Sequence, residues 1–221
     1  MNEPRLLLAT RNPKKCAELR RILAASGLSG VRVLGLDDVP PVPEVAETAA
    51  TFEGNALAKA TAAARATGLV AVADDSGLEV AALGGMPGVL SARWAGRHGD
   101  DAANLQLVLD QLADVPDERR GAAFVCAAAL AVPPTAGCPG WQAVVRGCWR
   151  GSLARAPRGS HGFGYDPIFV PAGDWRTSAE LEPAEKDAVS HRSRALRALL
   201  PTLRRVLTTT PGLSPQDQPT T

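Results

Sequence analysis

Short, solid apolar runs alternate along this chain with stretches of 3.6-residue periodicity, the pattern of strands interleaved with helices. Arg5 to Ala9 is an apolar run expected to form a buried strand. The turn-forming pair Asn12-Pro13 follows. "KKCAELRRILAASG" then brings Leu19, Ile22 and Leu23 to one helical face before Gly27 stops the helix. Val31 to Leu36 is expected to be a second strand and the proline-rich "DDVPPVPEVAET" a loop. "TAATFEGNALAKATAAARATG" predicts a long alanine-rich helix ending at Gly68, and Leu69 to Ala73 a third strand that stops at "DDSG". Beyond the loop-rich "LGGMPGVLSARWAG", the stretch "DDAANLQLVLDQLADVP" places Leu105, Val108, Leu109 and Leu112 on one helical face. Residues 121–132 and 141–149 read as two strands separated by the exposed loop "PPTAGCPG", and residues 184–206 as mostly helix despite Pro201. The elements alternate early and turn strand-rich later, so the expected fold is mixed α/β with a partly mixed sheet.

Composition narrows this picture. A chain of 221 residues is long enough for one sizeable core, and neither an internal repeat nor a dividing linker is visible. One domain is expected over residues 1–207, with a polar, proline-containing tail over 208–221 expected to be disordered. Alanine is abundant and aromatics are few, so the core is expected to be built of Ala, Val and Leu. The net charge of +1 argues against whole-molecule attraction to nucleic acid or to a membrane surface. Cys16, Cys126, Cys138 and Cys148 lack zinc or redox spacing and are expected to be free thiols. Residues 1–10 carry too short an apolar stretch for a signal peptide, and no run approaches bilayer length. A soluble, cytoplasmic protein is expected.

Five stretches could carry chemistry, and on local grounds each has a plainer reading. "TRNPKK" (10–15) stands where a strand hands over to a helix, a place that favours an anion, or it is a turn with two solvated lysines. In "ETAATFEGNALAKA", Asn55 and Lys59 share a helical face behind Glu47; they converge on a ligand, or Thr48 or Thr51 caps the helix and Lys59 faces solvent. In "ADDSG", Asp74 and Asp75 are neighbours on an extended strand and so point to opposite faces. They are therefore no acid/base dyad; they are a site for a hard cation beyond a strand end, or a polar turn. "GSHGFGYDP" sets glycines around Phe163, for a backbone that approaches a flat base or for an aromatic-anchored turn. "EKDAVSHR" offers Lys186, Ser190, His191 and Arg192, while His98 and His161 read as structural or exposed.

Taken in order, these stretches resemble the inosine/xanthosine triphosphate pyrophosphatases, house-cleaning enzymes that hydrolyse non-standard purine nucleotides. The matching segments are "LLATRNPKKCAELRRIL", "ETAATFEGNALAKA", "ADDSGLEVAALGGMPGVLSARWAG", "GFGYDPIF" and "AELEPAEKDAVSHRSRAL", from residue 6 to about residue 200. The resemblance implies an elongated α/β fold: a long mixed sheet, flanked by helices, that splits into two lobes around a central nucleotide-binding cleft. It also implies a homodimer, a Mg²⁺ requirement, and cleavage of ITP, dITP or XTP between the α and β phosphates. Carried over by residue, Asp75 matches the catalytic, metal-binding carboxylate and Glu47 a second metal ligand. Thr10, Arg11, Asn12, Pro13, Lys14 and Lys15 match the triphosphate loop, with Thr10, Asn12 and Lys15 as its contacts. Asn55 and Lys59 line the same region, and Ser76 lies beside the nucleotide. Phe163, Gly164, Tyr165 and Asp166 match the base-binding stretch, which Lys186, His191 and Arg192 complete. Arg11 stands where many members carry a small residue, Tyr165 where some carry Trp, and residues 133–140 look like a local addition. Two other readings compete: a pyrophosphatase for modified pyrimidine nucleotides, and a catalytically silent nucleotide sensor.

Overall fold

The computed structural model describes residues 3–208 except Cys138, and all of these but the side chain of Lys14. The expectations for Cys138 and for a disordered tail over 209–221 lie outside the described residues. Six strands form one sheet: β1 (Arg5–Leu8), β2 (Arg32–Leu34), β3 (Ala71–Val80), β4 (Gly121–Val132), β5 (Trp141–Leu153) and β6 (Phe169–Pro171). Their order is β2-β1-β3-β4-β5-β6; β2-β1-β3 run parallel and β3-β4-β5-β6 antiparallel, the mixed sheet that the chain order predicts. Among the described residues no helix is long and apolar enough to cross a membrane.

Helices cover both faces. On one, α1 (Pro13–Ala25) and the C-terminal helix pack Leu19, Leu23, Leu199 and Leu203 against Leu6, Val72, Cys126 and Leu130 of the sheet. On the other, α2 (Phe52–Thr67) sets Ala56, Ala60, Ala63 and Ala64 against Ala71, Ala73, Ala127, Ala129 and Ala131. This alanine-on-alanine contact explains the scarcity of aromatics: small side chains let the helix lie close to the sheet, and side chains at its margin reach β3. Thr51 caps α2 by accepting the Gly54 N–H at 3.1 Å, and Gly68 ends it in a left-handed conformation. A third core, with Leu78, Phe124, Trp149 and Phe169, fills the far end of the sheet beneath α3 (Asp101–Gln111).

The structure corrects three expectations. β3 does not stop at "DDSG": it pairs with β4 residue by residue from Ala71↔Ala131 to Val80↔Ala122, so Asp74 and Asp75 sit mid-strand. It is β1 that ends early, at Leu8 beside Val72, and the loop after it opens the space next to the two carboxylates. The expected helix over 184–206 is two helices, α4 (Pro183–Val189) and α5 (His191–Thr208), because Ser190 is extended at φ −64°, ψ 158°. Thr208, assigned to the tail, is the last residue of α5. Gly147 on β5 has no room for a Cβ, which would lie 2.1 Å from the His191 carbonyl oxygen. The start of α5 is thereby pressed onto the sheet, which brings His191 against Phe124 of β4 and Arg192 to Asp74 of β3.

Candidate active site

Asp74 and Asp75 do point to opposite faces, and each meets its own set of cations. Asp75 accepts from Asn55 Nδ2 at 3.0 Å and from Lys59 Nζ at 3.1 Å, both on α2. The same ammonium donates to Glu47 Oε1 at 2.9 Å. Arg93 completes the group, with Nη1 3.3 Å from Glu47 Oε2 and Nη2 3.0 Å from the Glu47 carbonyl oxygen. Two carboxylates from distant parts of the chain thus converge on one positive charge. Burial raises the pKa of Asp75, an effect Lys59 and Asn55 oppose and the nearby Glu47 charge reinforces. Burial also raises that of Glu47, but hydrogen bonds and charge from Lys59 and Arg93 outweigh it and hold the carboxyl below its ordinary value. Burial lowers the pKa of Lys59, and its two carboxylates more than reverse that.

The position of this ammonium tests the fit of a metal. One cation already lies within hydrogen-bonding distance of an oxygen from each of Asp75 and Glu47. Two carboxylates are the donor set Mg²⁺ commonly takes from protein, the remainder coming from water and substrate phosphates. These residues fit a hard divalent cation. Beside them is a cavity of about 550 Å³ whose lining includes Arg11, Glu47, Lys59, Arg93 and His98.

On the opposite face Asp74 accepts from Lys15 Nζ at 2.8 Å, Arg192 Nε at 3.2 Å and the Ser76 hydroxyl at 3.3 Å. Arg192 Nη1 also lies 3.7 Å from Glu18. Burial would raise the pKa of Asp74, but Lys15 and Arg192 hold its carboxyl well below the usual carboxylate range. Asp74 is a permanent counter-ion that ties Lys15, at the start of α1, to the start of α5. In the loop itself, Thr10 Oγ1 accepts the Asn12 N–H at 3.1 Å, Pro13 opens α1, and Arg11 is exposed, 3.8 Å from Asp37.

The predicted base-binding stretch divides by side chain. Phe163 is 55% exposed, with Lys186 Nζ 5.5 Å from its ring centroid. Asp166 is buried and accepts from the Phe163 N–H at 2.8 Å, from the Ser178 hydroxyl and from Lys186, so its carboxylate shapes the loop. The Gly164 N–H is held by Asp101 Oδ2 at 2.8 Å. Tyr165 corrects its expected role: its ring lies in the far core and its hydroxyl donates to the Ser91 carbonyl at 2.8 Å, so it offers a ligand no ring face. His191 is buried, stacked on Phe124 at 4.9 Å, and among the described residues its Nδ1 finds no hydrogen-bond partner. Burial, aided by Arg192 and Lys186, pushes its pKa well below 6.5, so the ring is neutral at physiological pH.

Two residues that contact this site escaped the sequence reading. Arg93 lies inside the quoted "LSARWAG", where a lone arginine among apolar residues was the available signal. Asp101 looked like part of a helix start, and nothing local linked it to Gly164.

Comparison with known proteins agrees with this architecture. The sequence model of the Ham1 family matches residues 6–202. A dITP/XTP pyrophosphatase of Mycobacterium tuberculosis is 66% identical over 204 residues, covering 92% of this chain and 97% of the relative. The crystal structure of a nucleoside-triphosphatase, dITP/XTP pyrophosphatase, from Mycobacterium abscessus superposes with a TM-score of 0.73 at 63% identity, over 89% of this chain and 99% of the other. A HAM1 protein from Coxiella burnetii gives a TM-score of 0.80 at 42% identity, over 91% and 99%. The fold and these relatives define a class, the nucleoside triphosphate pyrophosphatases, which are hydrolases. The chain belongs to the Ham1 family.

Proposed function

We propose that this protein hydrolyses non-standard purine nucleoside triphosphates (ITP, dITP and XTP) to the monophosphate and pyrophosphate, using Mg²⁺. The observation that carries this reading is the convergence of Asp75 and Glu47 on one cation position beside a cavity bordered by Lys59, Arg93 and Arg11. Bound between the two carboxylates, Mg²⁺ would neutralise phosphate charge. Asp75 orients the attacking water and accepts its proton, its carboxylate kept ionised by the cation beside it. The water oxygen bonds to the α phosphorus, the bridging bond to the β phosphate breaks, and its electron pair leaves with pyrophosphate. Lys15 and Lys59 meet the charge that develops on the leaving group. A homodimer belongs to the same reading.

Base choice rests on Phe163, Lys186, His191 and Arg192. Phe163 offers an exposed ring for stacking, and donors from His191 and Arg192 pair with the 6-oxo group of hypoxanthine or xanthine. Adenine's 6-amino group would face those donors unpaired, a mismatch of about 1–3 kcal/mol for each buried group. His191→Phe keeps the stack on Phe124 and removes the ring nitrogens. It is expected to raise KM for ITP about tenfold while kcat stays within about threefold. An unchanged KM would remove His191 from the pocket. The reading as a whole is tested by kcat/KM across ITP, XTP, ATP, dTTP and UTP. ITP and XTP should exceed ATP and both pyrimidines by about 100-fold or more; equal rates across the panel would defeat it.

A further inference from the structure

We propose that Arg93 is a positioning residue that fixes the Glu47 carboxylate at the metal site, an inference that rests on the reading of Glu47 as a ligand. Glu47 belongs to a stretch, 41–49, with neither helix nor strand, so backbone hydrogen bonding does not set where its side chain points. Its local anchors are few: the Thr48 N–H donates to the Ala46 carbonyl, and the Ala49 N–H to Asn55 Oδ1 at 3.0 Å. Two residues from elsewhere in the chain hold Glu47 itself, Lys59 and Arg93. They hold it differently. Lys59 contacts only the carboxylate, at the point a cation would take. Arg93 contacts both the carboxylate and the main-chain carbonyl, and the second contact persists whatever the carboxylate binds.

Arg93 can act as an anchor because its own base is rigid. It ends a 3-10 segment, Gly88–Arg93, that is pinned to β3. The buried Ser91 hydroxyl accepts the Leu78 N–H at 2.9 Å and donates to the Gly88 carbonyl at 2.6 Å. Gly77 permits the close approach, since a Cβ there would lie 2.4 Å from Ser91 Oγ. β3 therefore presents Asp75 directly and, through this segment, holds the guanidinium that aims Glu47. Only a planar fork spans both oxygens of such a pair; a lysine at the same place would satisfy one. Loss of the group that orients a metal ligand commonly weakens metal binding by about 10- to 100-fold.

The test uses the full chain with Mn²⁺ as probe, in the wild type, Arg93→Met, Arg93→Lys and Glu47→Gln. Mn²⁺ binding without nucleotide is measured by electron paramagnetic resonance, followed by ITP kinetics over a Mg²⁺ titration. Arg93→Met should weaken Mn²⁺ binding about tenfold and raise the half-saturating Mg²⁺ in parallel. Arg93→Lys should fall between, and it carries the test if the Met variant does not fold. Unchanged Mn²⁺ affinity in folded variants overturns the proposal. So does tighter binding, which would make Arg93 a competitor of the metal, and so does a rise confined to KM for ITP, which would make it a phosphate contact. Failure of Glu47→Gln to weaken Mn²⁺ binding, or no Mn²⁺ binding by the wild type, overturns instead the reading of Glu47 as a ligand.

Discussion

Asp75→Asn is expected to lower kcat for ITP at least about 1,000-fold while the protein stays folded, because in the proposed function this carboxylate serves as both metal ligand and proton acceptor. Stability should not fall with activity. Burial raises the pKa of Asp75, so its ionised form is less favourable in the folded chain than in the unfolded one. For a carboxyl whose pKa is raised on folding, that penalty is present above the folded pKa and disappears below the unfolded value, near about 3.9. At neutral pH a neutral amide avoids it, and Lys59 keeps Glu47 as its partner. Melting at pH 7 should therefore match or exceed wild type, with the difference vanishing as pH falls toward 4. Turnover within tenfold of wild type would remove Asp75 from the chemistry.

Asp74→Asn, one residue away, should do the reverse: its main effect is on the fold. Asp74 is buried and neutralises Lys15 and Arg192, both mostly withdrawn from water. Removing the shared counter-ion leaves Lys15 uncompensated and Arg192 with only the more distant Glu18, which costs about 3 kcal/mol. For a chain of this size that is a fall of about 6–12 °C in Tm. The sign with pH is opposite to that of Asp75. The Asp74 pKa is depressed on folding, so its contribution is complete above the unfolded value near about 3.9 and is lost as pH drops toward the folded one. The gap between wild type and variant should thus narrow by about 1.4 kcal/mol per pH unit below about pH 4. Chemical denaturation at pH 7 and at pH 3.5 measures both statements, and an equally stable variant at pH 7 would contradict the counter-ion role.

This contrast was half legible in the sequence. Period-two geometry alone placed Asp74 and Asp75 on opposite faces, and the four-residue spacing of Asn55 and Lys59 placed both on one side of α2, where they meet Asp75. The strand's true length was not legible. Asp, Ser and Gly ordinarily end strands, and nothing near them announces that "GAAFVCAAALAV" pairs with every residue of β3. Continuous pairing with β4 overrode local preference. The break at Ser190 was hidden for a related reason: helical periodicity continues through it, and the turn is set by contacts of α5 with β5 at Gly147. Tyr165 was misread because an aromatic beside glycines looks the same whether it faces a ligand or a core. Arg93 was missed because its partner lies 46 residues away in a loop with no pattern of its own.

The site also clarifies how an acid-rich centre is kept in order in a chain of nearly zero net charge. Each carboxylate near β3 has an assigned cation: Asp74 has Lys15 and Arg192, Asp75 has Lys59, and Glu47 has Lys59 and Arg93. Arrival of a metal and a polyphosphate would exchange partners without adding much net charge, the metal taking the carboxylates and the lysines taking the phosphates. Such an exchange needs the two carboxylates held in place while their cations change, and β3 and Arg93 serve that need.

The most direct measurement is phosphorus-31 magnetic resonance of ITP incubated with the enzyme and Mg²⁺, run beside a sample with excess EDTA. Inosine monophosphate and pyrophosphate are the expected products, with no conversion in the EDTA sample. Appearance of inosine diphosphate and orthophosphate, or equal conversion with the metal removed, would contradict the proposed function.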